Sequence, residues 1–439
     1  GVGISFCMLK DFYDYFDGIS TEDISLSQNT PTMAGPVIYS GYITYAEDMG
    51  YDLKKLSGSF INEYLFSALT MFDIGHFPEE LSVKLSTDVI EHSIKHTPRL
   101  HPLAPNPYNL ADFGANVIQE IAFTVAIIRE YIDGMIDRGY HIDDFAPRVN
   151  VFGCSCDIDF FEEIAKFRAT RKLWSKLMKE KYGAKDPKSM RLYLSAHTEG
   201  ESLTVVQPVN NIIRTTLQSL ACVLGGLQSF DPCGYAEPHH ILTEAEALTC
   251  LNIHHILSHE SGVAATADPL GGSYYVEWMT SKIEQEMWKL VDELETRGGA
   301  LKALAWMREE LVKESGKRQK ELQTKERYLV GVNEFKVPEE REVKIDMEEY
   351  RPPEDQIKIA ETRANQVRRF KAERDKKKTK DALESLRNEA GKGEKHNLIP
   401  AIKSALRADA TLGEIIGVIR MANGYDYDPY KMIQYPFSC

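Results

Sequence analysis

From residue 1 to about 335 the chain alternates short runs of period-two apolar positions with longer segments of helical period. Asp23–Thr30 is expected as a strand that places Ile24, Leu26 and Gln28 on one face and Ser25, Ser27 and Asn29 on the other. The same rhythm returns at Leu56–Ile61, Leu100–Pro107, Pro147–Cys154, Ser189–His197, Gly226–Asp231 and Ala264–Asp268. Helical patterns occupy Leu9–Phe16, Phe160–Tyr182, Asn210–Leu224 and Glu244–Ser258. Strands alternating with helices of that length imply parallel strands joined by right-handed crossovers, and an α/β TIM (β/α)8 barrel is the expected fold. Such barrels are usually filled with Val, Ile and Leu. Serine, asparagine and threonine on several strands leave two readings: an interior that holds a polar ligand, or a sheet face turned to water.

Beyond Val337 the pattern changes, so residues 1–337 are read as the barrel domain and 338–439 as a charged helical linker and extension. An amphipathic helix carries Ile357, Ala360, Ala364, Val367 and Phe370 on one face. Lys376–Lys380 reads as a solvated helix surface. After a glycine-containing break at Gly391–Gly393, Thr411 and Glu414 have the spacing of a capping box for a helix over Leu412–Met421. No internal repeat or low-complexity tract interrupts the chain.

The 439 residues are enough for two or three domains or one large barrel with an appendage. A net charge of −14 offers phosphate backbones no general attraction, which argues against nucleic-acid binding as a primary role. Any anionic ligand must then be held by local groups. Seven cysteines with no Cys-x-x-Cys pair suit a reducing cytoplasm. No apolar run reaches membrane-spanning length and the first residues do not read as a signal peptide, so no membrane partner is expected.

The residues suggest several candidate chemistries. His255 and His259, four apart on a helix, have a spacing that suits a divalent metal, but no glutamate follows the first as in a metalloprotease helix. A surface pair is the simpler reading. Cys154 and Cys156 point the same way on a strand without a metal motif, which suits packing. Gly225-Gly226 and Gly271-Gly272 allow close backbone approach, and structural turns explain them equally well. Arg148, at the start of an expected strand in an acidic chain, is a candidate carboxylate or phosphate anchor or a surface salt bridge.

Several longer motifs stand in order: Asp144-Phe-Ala-Pro-Arg148, Phe161-Glu-Glu-Ile-Ala-Lys-Phe-Arg168, Gln207-Pro-Val-Asn-Asn-Ile-Ile-Arg214, Gly225-Gly-Leu-Gln-Ser229, Glu260-Ser-Gly262, Asp268-Pro-Leu-Gly-Gly-Ser273 and Val330-Gly-Val-Asn333. Together they resemble the large catalytic subunit of the adenosylcobalamin-dependent methylmalonyl-CoA mutases and their acyl-CoA mutase relatives, over nearly all of residues 1–335. The resemblance implies a TIM barrel with acyl-CoA along its axis, which would account for the polar strand faces. It also implies a radical 1,2-rearrangement in which the cofactor supplies the radical and the protein positions and shields it. Carried over by position, Arg148 and Asn150 fall where the family contacts acyl-CoA. Ser25, Ser27 and Asn29, with Ser59 and Ile61 on the next strand and Ser195, fall on substrate-lining positions. Glu237 corresponds to the glutamate that meets the adenosyl ribose, Tyr108 to the pocket tyrosine, and Asp112 to a glutamate.

The departures from the family carry equal weight. Asn109 stands where the family has a histidine that assists the migrating thioester carbonyl, and an amide cannot exchange a proton. The family's Gln-Asn-Asp is Ile61-Asn62-Glu63, and its carboxylate-pairing arginine is Met71. A substrate carboxylate would be left unpaired in a buried site, which disfavours methylmalonyl-CoA itself. The family's His-x-Gln-Thr becomes Ser195-Ala-His197-Thr198 when anchored on Gly200 and Leu203, whereas a two-residue gap would align the histidines. His197 then either restores an imidazole to the pocket, near substrate and cofactor, or reflects drift. No Asp-x-His-x-x-Gly occurs, so the cobalamin domain is expected on a separate small subunit, in a homodimer or heterotetramer. The family's first strand and a further tyrosine-bearing segment are expected to precede Gly1. Two rival readings are a non-catalytic partner subunit that keeps the barrel for assembly, and a metal hydrolase built on His255 and His259.

Overall fold

The computed structural model describes residues 4–30, 34–70, 78–240, 242–338 and 353–437. They form a mixed α/β architecture in two compact units, one of Gly1–Ala104, Tyr131–Val149 and Arg351–Cys439, the other of Pro105–Glu130 and Asn150–Tyr350.

The first unit holds a parallel sheet ordered β1 (Ser25–Asn29), β2 (Ser57–Ile61), β3 (Arg99–His101). Its register pairs Ser25 with Ser57, Ser27 with Ser59 and Asn29 with Ile61, and then Ser59 with His101. Gly58 is required here: its φ is +137°, and a Cβ would lie 1.8 Å from the Leu26 carbonyl on β1. Helices Gly35–Asp48 and Glu79–His96 connect the strands. The first is buried on every side from Gly35 to Ala46, so its apolar residues follow no single stripe. Tyr39, Tyr42, Phe60 and Leu100 are fully buried against the apolar faces of later helices, through Leu383 and Leu386 of Lys376–Ala390, Ile402 of Ile399–Arg407 and Ile415 of Leu412–Ala422. The expected capping box is present: the Thr411 N–H and hydroxyl both donate to Glu414, at 2.9 Å each. Burial would raise the Glu414 carboxyl, but the Arg374 guanidinium holds it down to about 2.

The second unit holds a parallel sheet ordered β4 (Val151–Cys156), β5 (Tyr193–Thr198), β6 (Ser229–Asp231). Ser155, His197 and Asp231 lie abreast, one position beyond Cys154, Ala196 and Phe230. Helix Phe160–Lys176 continues as a π-turn over Leu177–Lys181 and packs on helix Tyr274–Thr296. Trp174 crosses Phe152 edge-on at 5.4 Å and donates its indole N–H to the Ser189 carbonyl at 3.1 Å.

Six of the seven expected strands are present, shorter than the sequence rhythm suggested, in two three-stranded parallel sheets among the described residues. The seventh, Ala264–Asp268, is a 3-10 turn at Val263–Ala265. It follows Gly262 in a left-handed conformation, which turns the chain before a strand can begin. Both glycine pairs make turns. Gly225 ends helix Val209–Leu224 and accepts Arg171 through its carbonyl at 2.7 Å, and Gly271 closes a turn onto the Asp268 carbonyl. Cys154 and Cys156 are fully buried packing residues on one face of β4. No described helix is long and apolar enough to cross a membrane.

Candidate functional site

Each sheet turns one small polar face outward. In the first unit Ser25, Ser27 and Asn29 are exposed, and the Ser27 and Ser59 hydroxyls lie 3.4 Å apart across β1 and β2. Ile61 is level with Asn29 at the strand ends. The alternation of β3 adds His101 to this face, a residue the sequence reading passed over because three residues carry too little period to see. Burial lowers the His101 imidazole, and the Arg148 cation beside it lowers it further, so it is neutral at pH 7. Arg148 ends the short 3-10 turn Ala146–Arg148. Met71 lies outside the described residues.

In the second unit the chemistry gathers at the C-terminal end of β5. Helix Tyr108–Asp112 begins just after Pro107, and Tyr108 sets its ring 5.2 Å from that of His197. The His197 side chain is 46% exposed, with Nε2 3.8 Å from an Asp231 carboxylate oxygen. Gly200 sits at the centre: a Cβ there would lie 3.4 Å from the Tyr108 hydroxyl and 3.9 Å from both the Cys233 sulfur and the Glu237 side chain. Tyr108, His197 and Glu237 are therefore neighbours, and Asp112 joins them through the Tyr108 hydroxyl.

The loop bearing Glu237 is fixed from below. Glu246, in a capping box with Thr243, accepts the Ala236 N–H at 2.8 Å, and the Cys233 N–H donates to the Thr198 hydroxyl at 2.7 Å. Burial pushes the Cys233 thiol up to about 12, so it is a thiol and not a nucleophilic thiolate. Glu237 is raised first by desolvation and then by the Glu246 charge.

Asn109 is half-buried, 3.5 Å from the Asn106 amide. Ser195 faces the Phe152 carbonyl at 3.4 Å. Asn150 is buried, with its amide committed to the carbonyls of Lys188 (3.3 Å) and Arg191 (2.8 Å). Two members of the cluster were missed: Asp231, level with His197 in the strand register, and Glu199, one residue beyond β5. The alternation of β5 could have flagged Glu199, since it falls on the same parity as the pocket residue His197.

At Ser155, near the end of β4, lies a buried ionic cluster. The Lys166 ammonium meets Glu163 at 2.6 Å and Glu120 at 2.8 Å, and donates to the Ser155 carbonyl at 2.8 Å. Two carboxyls share one cation. Burial raises Glu163 to about 8 despite Lys166, and against its own burial Lys166 is held well above the usual range by Glu120 and Glu163.

The His255 and His259 rings stack 6.0 Å apart, but the described residues contain no group of three or more His, Cys, Asp or Glu side chains able to hold a metal ion. A hydrolase built on that pair has no third ligand there.

A family model described as methylmalonyl-CoA mutase matches residues 1–425. The chain is 36% identical over 420 residues to the 2-hydroxyisobutanoyl-CoA mutase large subunit of Aquincola tertiaricarbonis, covering 94% of this chain and 72% of that one. It is 36% identical over 434 residues to the methylmalonyl-CoA mutase of Rhizobium meliloti, covering 97% and 58% respectively. Against the mitochondrial methylmalonyl-CoA mutase of Homo sapiens the identity is 32% over 426 residues, covering 96% and 55%. The chain thus spans little more than half the length of these methylmalonyl-CoA mutases. With the ordered motifs, the polar strand faces and a match along almost the whole sequence, the chain belongs to the methylmalonyl-CoA mutase family.

Proposed function

We propose that the chain is the acyl-CoA-binding large subunit of an adenosylcobalamin-dependent mutase, an isomerase that carries out a radical 1,2-rearrangement on an acyl-CoA other than methylmalonyl-CoA. The observation that carries this reading is the 5.2 Å approach of the Tyr108 and His197 rings, with Asn109 in place of the family's histidine. The pocket lacks the imidazole at one position and gains one from a neighbouring strand. His197 is the residue we assign to hold or donate a proton at the substrate's thioester oxygen, with Asp231 orienting it. Tyr108 shields the reacting carbon from one side.

The two serine-bearing sheet faces belong, on this reading, to one (β/α)8 barrel over residues 1–337, with 338–439 as an extension. Ser25, Ser27, Asn29, Ser59, Ile61, Ser195, Asn150 and Arg148 fall on the acyl-CoA path, and Met71 replaces a cation that a dicarboxylic acyl group would need. The cofactor's place fits the residues present: Gly200 leaves space that a side chain would fill, and the exposed Glu237 carboxylate beside it suits a ribose diol. When bound, adenosylcobalamin supplies the radical; this chain's own residues orient the acyl group and exclude water. The name "large subunit" of the Aquincola relative supports a separate cobalamin-binding small subunit; a homodimer or heterotetramer in the cytoplasm completes the proposal.

The test mixes this chain with a cobalamin-binding small subunit and adenosylcobalamin, and follows cob(II)alamin formation on adding a panel of acyl-CoAs. A radical signal with a monocarboxylic acyl-CoA, and none with methylmalonyl-CoA, is expected. Silence with every acyl-CoA would replace this reading with a non-catalytic assembly subunit.

A further inference from the structure

A buried carboxyl, Glu199, and a half-buried one, Asp112, meet beside Tyr108 with no cation between them. Glu199 is 1% exposed, and neither of its carboxylate oxygens has an N–H or O–H partner from the rest of the protein. The group facing it is the carboxyl of Asp112, at the end of helix Tyr108–Asp112. The Tyr108 hydroxyl interacts with Asp112 and lies against Gly200, where a Cβ would come within 3.4 Å of it. The remaining charges around the pair do not neutralise it. Asp157 and Glu120 face Glu199 and are negative, and His197 faces Asp112 from β5. Arg318, Arg327 and Lys317 line the same cavity of about 320 Å³ as Glu199, but Asp157 engages Arg318 at 3.0 Å and Arg327 at 3.7 Å, Glu314 engages Lys317 at 3.2 Å, and Glu120 engages Lys166.

Two ionised carboxylates in contact, one of them buried without a donor, are strongly unfavourable, and a single proton on the buried one removes both the repulsion and most of the desolvation cost. We propose that Asp112 and Glu199 hold one proton between them at neutral pH, carried on Glu199 and accepted by Asp112, and that this pair positions the Tyr108 phenol beside His197. The positioning role rests on the functional reading above; the shared proton does not. Burial pushes both carboxyls upward; the Asp112 charge raises the more deeply buried Glu199 further, whereas hydrogen bonds from Glu199 and Tyr108 work against the rise at Asp112. With the proton in place, Asp112 accepts from both Glu199 and Tyr108, while Gly200 lies against the phenol oxygen from the other side. The ring then has one orientation. Both residues act through Tyr108 and are positioning residues.

The test is infrared spectroscopy of the full chain, which needs neither substrate nor cofactor. At pH 7 the parent-minus-Glu199→Gln difference spectrum should contain one protonated-carboxyl stretch that shifts in heavy water. The difference is necessary because other buried carboxyls, Glu63 and Glu163, are also raised to about 8. Asp112→Asn should shift or abolish the same band. A difference spectrum with no such band would overturn the shared proton. Glutamine can donate to Asp112 as the acid does, so Glu199→Gln should keep the near-ultraviolet signature of Tyr108, and Glu199→Ala should lose it. In the assembled enzyme, Glu199→Ala should lower kcat by about tenfold with KM little changed, and Glu199→Gln should restore it. Equal losses in the two variants would overturn the positioning role. If the infrared band is present while no acyl-CoA is consumed by the parent, the functional reading fails and the shared proton stands.

Discussion

The two sheets carry polar positions over apolar cores and differ in what the buried ions beside them hold. Behind β1–β3 the core is aromatic and aliphatic, with Tyr39, Tyr42, Phe60 and Leu100 fully buried, and the buried Asp88 pairs with Lys84 and Arg138 between helices. Behind β4 Phe152, Cys154, Cys156 and Trp174 are fully buried too, but at Ser155 the strand itself bonds the fully buried Lys166, clamped between Glu120 and Glu163. A hydrophobic backing is indifferent to pH and tolerates approximate geometry, whereas an ionic one is sensitive to both. The difference shows that a strand can be held by apolar packing alone or by packing with ionic bonds to its own backbone. The sheet with the ionic support is also the one that gathers Tyr108, His197 and Glu237.

The strongest way to break this contrast is a matched pair of substitutions. Lys166→Met should cost about 3–5 kcal/mol near neutral pH, because it leaves the buried carboxyl groups of Glu120 and Glu163 without their shared cation. That loss should shrink toward pH 5, where burying a carboxyl in its neutral form costs less. Phe60→Ala should cost a similar amount, about 3–5 kcal/mol, with no such pH dependence. Denaturant midpoints measured across pH decide it: parallel profiles for the two variants would remove the distinction.

Next in size is His197→Ala, expected to lower turnover in the assembled enzyme by about 10²-fold. Its stability should be nearly unchanged, since the side chain is half exposed. Parent-like turnover would show the imidazole to be unused.

Glu63 sharpens the comparison from the other side, as a buried carboxyl in the first unit. Burial raises it from 4.5 to about 8, and it accepts the Phe66 N–H at 3.1 Å. The native state therefore keeps a proton that the unfolded chain releases above about pH 4.5, so stability falls as pH rises toward 8. Glu63→Gln removes that slope, and at pH 8 the variant should be more stable by about 2–4 kcal/mol, with near equality at pH 4. A parent whose melting temperature is flat across that range would contradict the burial argument.

The smallest effect is expected at Ser27. Its exposed hydroxyl, 3.4 Å from Ser59, makes a weak contact, so Ser27→Ala should change stability by less than about 0.5 kcal/mol. A measurable rise in the KM for acyl-CoA without a change in melting temperature would mark Ser27 as a substrate contact.

The chain by itself determined the alternation of strand and helix, the polar and apolar faces of β1, the capping box at Thr411, and the family. All of these rest on short-range periodicity or on ordered local motifs, which need no knowledge of what lies across the fold. Tertiary structure decided the rest. The charged segment after residue 353 hides an apolar stripe through Leu383, Leu386 and Ile402 that completes the first unit's core, and charge-rich composition obscured it. His101 joined the first polar face only through strand register, and Gly262 replaced an expected strand by a turn. Asp112 and Glu199 are 87 residues apart in the chain, and Lys166 and Glu120 are 46 apart. A carboxyl's proton affinity depends on desolvation and on charges within a few ångströms, and those are properties of the folded neighbourhood.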